Sequence, residues 1–189
     1  MFRRSLLCTW SLIAMGAVSA NSQADDWVMG ASKQVDPGEE RATKLLAPFK
    51  RDLKAALLDG MAQGPAAAID ACRHEAPAIA ERLSADGAGV GRTSHRLRNP
   101  DNAAPDWVAP VLAEYLEQDG GWEPRLVDTD AGRKGYVEPI AMQPLCTTCH
   151  GPAIAPDIAE RIAALYPEDR ATGFEVGDLR GVFWVVLPP

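Results

Sequence analysis

The sequence predicts an α+β domain around one antiparallel sheet, on three observations. Two helical stretches with apolar stripes come first, and strand-like segments separated by shorter helices follow. Two of those strands are joined by a four-residue turn, 129–132, which makes a hairpin rather than a crossover. At 189 residues and 47% hydrophobic, the chain has the length of one domain and the composition to bury a core.

Arg3 and Arg4 precede an apolar run over 6–18, and Val18-Ser19-Ala20 is a small-residue cleavage site. This pattern predicts a secretory signal peptide over 1–20, with a retained N-terminal anchor as the alternative. The run is shorter than the roughly 20 apolar residues a spanning helix needs, so no membrane span is expected after cleavage. A flexible stretch, 21–35, is expected to lead into a single domain over 36–189. The formal charge is −7, and it becomes more negative once Arg3 and Arg4 are removed. Such an acidic chain is a poor match for nucleic acid, which calls for clustered Lys and Arg.

Asp36-Pro37-Gly38-Glu39 is a helix start: an acceptor side chain, a proline in the first turn and an acid three residues on. Ala42, Leu45, Leu46, Phe49, Leu53, Ala56 and Leu57 then form one apolar stripe. Gly60 and Gly64-Pro65 are expected to interrupt it, before a second, Ala-rich helix over 66–83 kinked at Pro77. Together the two make a helical hairpin. The segment 89–98 alternates like a short strand and turns at Asn99-Pro100. A helix over 105–116 carries Trp107, Val108, Val111, Leu112 and Tyr115 at helical spacing, read as core. The hairpin strands are 122–128 and 135–142, a short helix covers 157–166, and a buried strand over 179–187 ends at Pro188-Pro189.

Cys146-Thr147-Thr148-Cys149-His150 carries the most chemistry. Two thiols three residues apart can each add to one haem vinyl group, and the next imidazole is then held beneath the iron. The sequence therefore predicts one covalently attached haem c per chain, with His150 as proximal ligand. A dithiol redox pair and half of a zinc site are the competing readings. Zinc would need two more ligands, and only Cys72, His74 and His95 remain outside the apolar N-terminal run.

The distal side of the iron has several candidates: Cys72, His74, His95, Met61 and Met142. On a helix Cys72 and His74 point roughly 200° apart, so they cannot both face one metal. Cys72 stands among Ala68, Ala71 and Ala76, where a flat macrocycle could approach closely, whereas His74 lies between Arg73 and Glu75. Arg92, Arg96 and Arg98 form a basic run in an acidic protein. Arg92 and Arg98 are expected to pair with haem propionates, against the alternative of a solvated strand edge.

Four stretches in this order resemble one family. They are Ala68-Ile69-Asp70-Ala71-Cys72 with Ala76-Pro77; Gly91-Arg92-Thr93-Ser94 with Arg98-Asn99-Pro100; Cys146 to Gly151; and Tyr166-Pro167-Glu168-Asp169-Arg170-Ala171-Thr172-Gly173 with Gly177-Asp178-Leu179-Arg180-Gly181. The chain looks like the small haem c domains with a PAS-like fold, found as freestanding periplasmic proteins and as extracytoplasmic sensor modules of bacterial signalling proteins. The resemblance implies a PAS-like antiparallel sheet with an N-terminal helical hairpin and flanking helices. It further implies haem attached through Cys146 and Cys149, with His150 and Cys72 as axial ligands. His95 stands where the family is expected to carry an aliphatic residue, so no role transfers to it. Unlike the sensor relatives, the sequence carries no membrane helix or kinase domain after Leu187.

Thiolate ligation would stabilise ferric iron and give a low reduction potential. The expected function is accordingly a periplasmic monohaem protein that transfers electrons or senses redox state or a small gas, with a redox protein or the gas as partner. A haem enzyme of the peroxidase type is the alternative, with His74 or His95 as its acid-base group.

Overall fold

A computed structural model describes residues 36–85, 87–129 and 131–189. The signal peptide and the flexible stretch expected over 1–35 lie outside the described residues. The elements run α1 (Pro37–Gln63), α2 (Pro65–Leu83), β1 (Gly89–Thr93), α3 (Ala109–Leu116), β2 (Arg125–Asp128), β3 (Lys134–Ala141), α4 (Thr147–His150), α5 (Pro156–Leu165) and β4 (Leu179–Val186). Short 3-10 turns at Pro100–Asn102 and Pro144–Cys146 interrupt the connections. Among the described residues no helix is long and apolar enough to cross a membrane.

The four strands form one antiparallel sheet in the order β1-β4-β3-β2. β4 is central because its run of Val182, Val185 and Val186 is buried and can be covered on both faces. On one face Val90, Tyr136, Val185 and Leu187 pack against Ala42, Leu46 and Phe49 of α1 and Ile79 of α2, with Phe183 meeting Phe49 edge-on at 5.9 Å. On the other, Val137, Leu179 and Val182 pack against Val108, Val111, Leu112 and Tyr115. The fold is thus the expected α+β, PAS-like arrangement, with a helical hairpin on one face of the sheet and α3 on the other.

Asp36 caps α1 by accepting the Gly38 N–H at 2.7 Å, as its sequence pattern predicts. α1, however, continues through Gly60 instead of breaking there. A Cβ at this buried position would lie 2.6 Å from the Ala68 Cα, so the glycine lets α1 and α2 touch backbone to backbone. Only Gly64, with φ 114°, makes the turn between the helices. α3 is also shorter than expected: Trp107 and Val108 lie in a turn closed by the Val108 N–H on the Pro105 carbonyl at 2.8 Å.

The register slips near the start of β4: Ile140 faces Gly181 and Ala141 faces Leu179, which leaves Arg180 without a partner on β3. Such a bulge re-aims the extra residue and bends its strand. Ser94 fixes it by donating its hydroxyl to the Arg180 carbonyl at 2.6 Å. Gly181 follows at φ 156°, where a Cβ would come within 2.1 Å of the Thr93 carbonyl oxygen.

Candidate functional site

The Cys146 to His150 segment is a single helical turn clamped at both ends. After β3, Met142 exchanges bonds with the return chain: its N–H donates to Asp178 at 2.9 Å, and its carbonyl accepts from Gly177 at 3.0 Å. Pro144–Cys146 then turns into α4, and the Thr147 hydroxyl donates back to the Pro144 carbonyl at 2.7 Å. Beyond the motif, Gly151 approaches Thr147 so closely that a Cβ would sit 2.6 Å from that residue's carbonyl oxygen. The segment 171–174 straps the far side, with the Gly173 and Phe174 N–H groups donating to the Gly151 and His150 carbonyls at 3.0 and 2.9 Å.

Cys146 and Cys149 are unpaired and half-buried, and they rest on different apolar clusters. Cys146 packs on Met142, Ala171 and Phe174. Cys149 packs on Ile69 of α2, Ile158 and Ile162 of α5, and Tyr166. Burial raises the Cys149 thiol above its ordinary pKa, against the opposing pull of Arg98. That direction is the reverse of what an activated redox thiolate requires.

His150 shows how the site is poised. Its Nδ1 lies 2.7 Å from the Ala171 carbonyl oxygen, which can only accept, so Nδ1 carries the proton and Nε2 keeps its lone pair. Burial, reinforced by the charges of Arg180 and Arg98, pushes the imidazolium pKa down to about 2. The ring is therefore neutral and oriented, the state in which a histidine can ligate a metal through Nε2.

Ala171 is held in turn. Asp169 accepts the Ala171 N–H at 2.9 Å and pairs with Arg98, whose Nε donates to Oδ1 at 3.2 Å and whose Nη2 donates to Oδ2 at 3.3 Å. Arg98 Nη2 also donates to the carbonyls of Cys149 and, at 3.4 Å, Ala171. The expected propionate partner is thus directed to Asp169 and to the backbone of the motif, where it acts as a brace. Asp169, Ala171 and Arg180 stand in the family-like stretches of the sequence, which assign them no role. Arg180, a charge at the start of an apolar strand run, is the one local signal.

α2 brings a third thiol to this place. Cys72 is half-buried three residues beyond Ile69, which packs on Tyr166 and Cys149. It is near enough to both that a charge on it would raise their pKa values. The structure therefore places Cys72 on the α2 side of Cys149 and Tyr166. His74 is exposed, on a cleft lined also by Pro77, Asp101 and Tyr166. His95 is exposed too, edge-on to Phe174 at 5.6 Å. Met142 is buried in the core beneath Cys146, and Met61 lies in the last turn of α1, outside both clusters. Arg92 and Arg180 lie close enough for their charges to act on His150. Among the described residues no three His, Cys, Asp or Glu side chains group so as to hold a metal ion.

Fold and geometry together define a class: an α+β, PAS-like domain that holds one C-x-x-C-H turn, its histidine oriented as a ligand, against a helical hairpin. The chain belongs to the Tll0287-like family, whose description matches residues 17–188. It is similar in fold to the crystal structure of the cyanobacterial haem protein Tll0287, with a TM-score of 0.61 over 82% of this chain and 97% of that one, at 24% identity. No curated protein matches the chain.

Proposed function

We propose that this protein is a periplasmic monohaem c-type protein, with haem bonded covalently to Cys146 and Cys149 and with His150 and Cys72 as axial ligands. Its role in this reading is electron transfer or the sensing of redox state or a small gas, without catalysis. The observation that carries it is the Nδ1–H of His150 held by the Ala171 carbonyl, which presents Nε2 at the end of a C-x-x-C-H turn. The haem protein Tll0287 lends support through the shared family and fold.

Bound haem would supply one-electron chemistry. The chain does the rest: two half-buried thiols fix its edge, the 171–174 strap fixes the proximal ring, and the apolar residues around Cys149 keep water away. A thiolate at Cys72 would favour ferric iron and a low potential. His150 is held by its hydrogen bond to Ala171, so in this reading Cys72 is the side that a gas or replacement ligand would take.

The test is expression of the full-length chain with the haem c maturation machinery, followed by spectra in both redox states. The reading expects covalent haem, a six-coordinate low-spin ferric spectrum, and loss of its thiolate features in Cys72→Ala. A Cys72→Ala spectrum identical to wild type would refute the thiolate assignment.

A further inference from the structure

The arginines around the C-x-x-C-H turn are out of balance with the acids. Arg92, Arg98 and Arg180 all act on His150 with their charges, and Arg180 acts on Cys146 as well. Against these three, Asp169 is the carboxylate whose charge acts on Arg180, and it is already taken by Arg98. Among the described residues neither Arg92 nor Arg180 forms an ion pair. Arg180 makes one long hydrogen bond, Nη1 to the Arg96 carbonyl at 3.4 Å, and lies over the Phe174 ring at 5.2 Å, and Arg92 makes no side-chain hydrogen bond among the described residues. Two guanidinium charges are left over, and burial pushes that of Arg180 down to about 9.

An uncompensated charge held out of water, as at Arg180, is costly and implies a counterion. The backbone supports the same conclusion. Arg92 faces Phe183 across the β1–β4 ladder, and opposed residues project from the same side of a sheet. Phe183 packs against α1, so Arg92 lies on the face that carries the hairpin and Cys72. Arg180 is the unmatched residue of the bulge, and the bulge is pinned by Ser94 and permitted by Gly181. The fold has gone to some trouble to aim one cation here.

We infer that Arg92 and Arg180 form a dicarboxylate-binding pair that receives the two propionates of the haem, while Arg98 serves only as the brace of the attachment turn. The inference rests on the haem reading above and deepens it. Two leftover positive charges match the two carboxylates of a haem, and planar forks suit carboxylates geometrically. Because the cations neutralise the propionates beside the iron, they also make reduction easier than it would be without them.

The experiment compares the holoproteins of wild type, Arg180→Gln, Arg180→Lys, Arg92→Gln and, as a control on the exposed face of α1, Arg41→Gln. Covalent haem content, midpoint potential and the propionate bending band in resonance Raman are measured for each. Arg180→Gln and Arg92→Gln are expected to keep covalent haem, to displace the propionate band, and to shift the ferrous-to-ferric ratio about tenfold toward ferric, ~59 mV for one electron. Arg180→Lys, which keeps the charge, should recover most of the potential, and Arg41→Gln should match wild type. A lowered potential with an unmoved propionate band would overturn the pairing, as would no change in either. Wild-type protein without covalent haem would overturn the haem reading and this inference together, whereas bound haem with an unmoved band overturns the inference alone.

Discussion

At the scale of single residues, the site depends on a relay of hydrogen bonds that ends at His150. Asp169 is the pivot: it takes the Ala171 N–H and the Arg98 fork, and Ala171 and Arg98 in turn hold His150 and Cys149. Both side chains of the Asp169–Arg98 pair are largely buried, at 9% and 13% exposure. Breaking such a pair leaves one charge stranded, so Asp169→Asn is expected to cost about 3 kcal/mol in denaturant unfolding of the holoprotein. Asp169→Asn should also broaden the proximal-histidine signals, since the Ala171 carbonyl loses its anchor. If unfolding is unchanged within about 0.5 kcal/mol, the pair is a surface contact of ordinary weight. The attachment residues were legible in the sequence because covalent chemistry imposes a fixed local spacing. Asp169 and Arg180 were not, since Arg98 and Asp169 lie 71 residues apart and nothing local marks the pairing.

At the scale of elements, the helical hairpin is what presents Cys72, and its contact depends on Gly60. In the sequence that glycine predicts a break, because glycine weakens an isolated helix. Tertiary contact reversed its meaning: with Ala68 against it, the absent Cβ allows the helices to close. Gly60→Val should force them apart and destabilise the fold by about 1–3 kcal/mol, seen as a lower midpoint in urea. It should also perturb the ferric spectrum, since α2 carries Cys72. An unaltered midpoint would show that the helices yield freely. The expected helix over 105–116 shortened for a related reason, as Pro105 and Pro110 flank a turn that the Val108 side chain anchors in the core. On α3 itself, Tyr115 donates to the Glu123 carbonyl, and burial pushes its hydroxyl up to about 12. The unfolded chain releases that proton near pH 10, before the folded one does. Stability should therefore be intact below pH 10 and fall from there toward 12. Alkaline unfolding of Tyr115→Phe should lose that part of the decline. A wild-type-like alkaline profile in this variant would remove Tyr115 as its source.

At the scale of the whole molecule, the sheet divides two labours. Both faces bury an apolar core, one under α3 and one under α1 and α2, and the second also carries Arg92 and the cysteine helix. The α+β class and the place of each strand could be read in advance because periodicity of two and of 3.6 residues is a local property. The meeting of α2 with a motif more than seventy residues away came from the family resemblance and could not be read from spacing. The central claim, that this assembly exists to hold one haem covalently, is tested most directly by intact-mass spectrometry of the chain matured with the haem c machinery. The account predicts a mass increase of one haem that withstands denaturation and disappears in Cys146→Ala/Cys149→Ala. A wild-type chain that denatures to its polypeptide mass alone would contradict it.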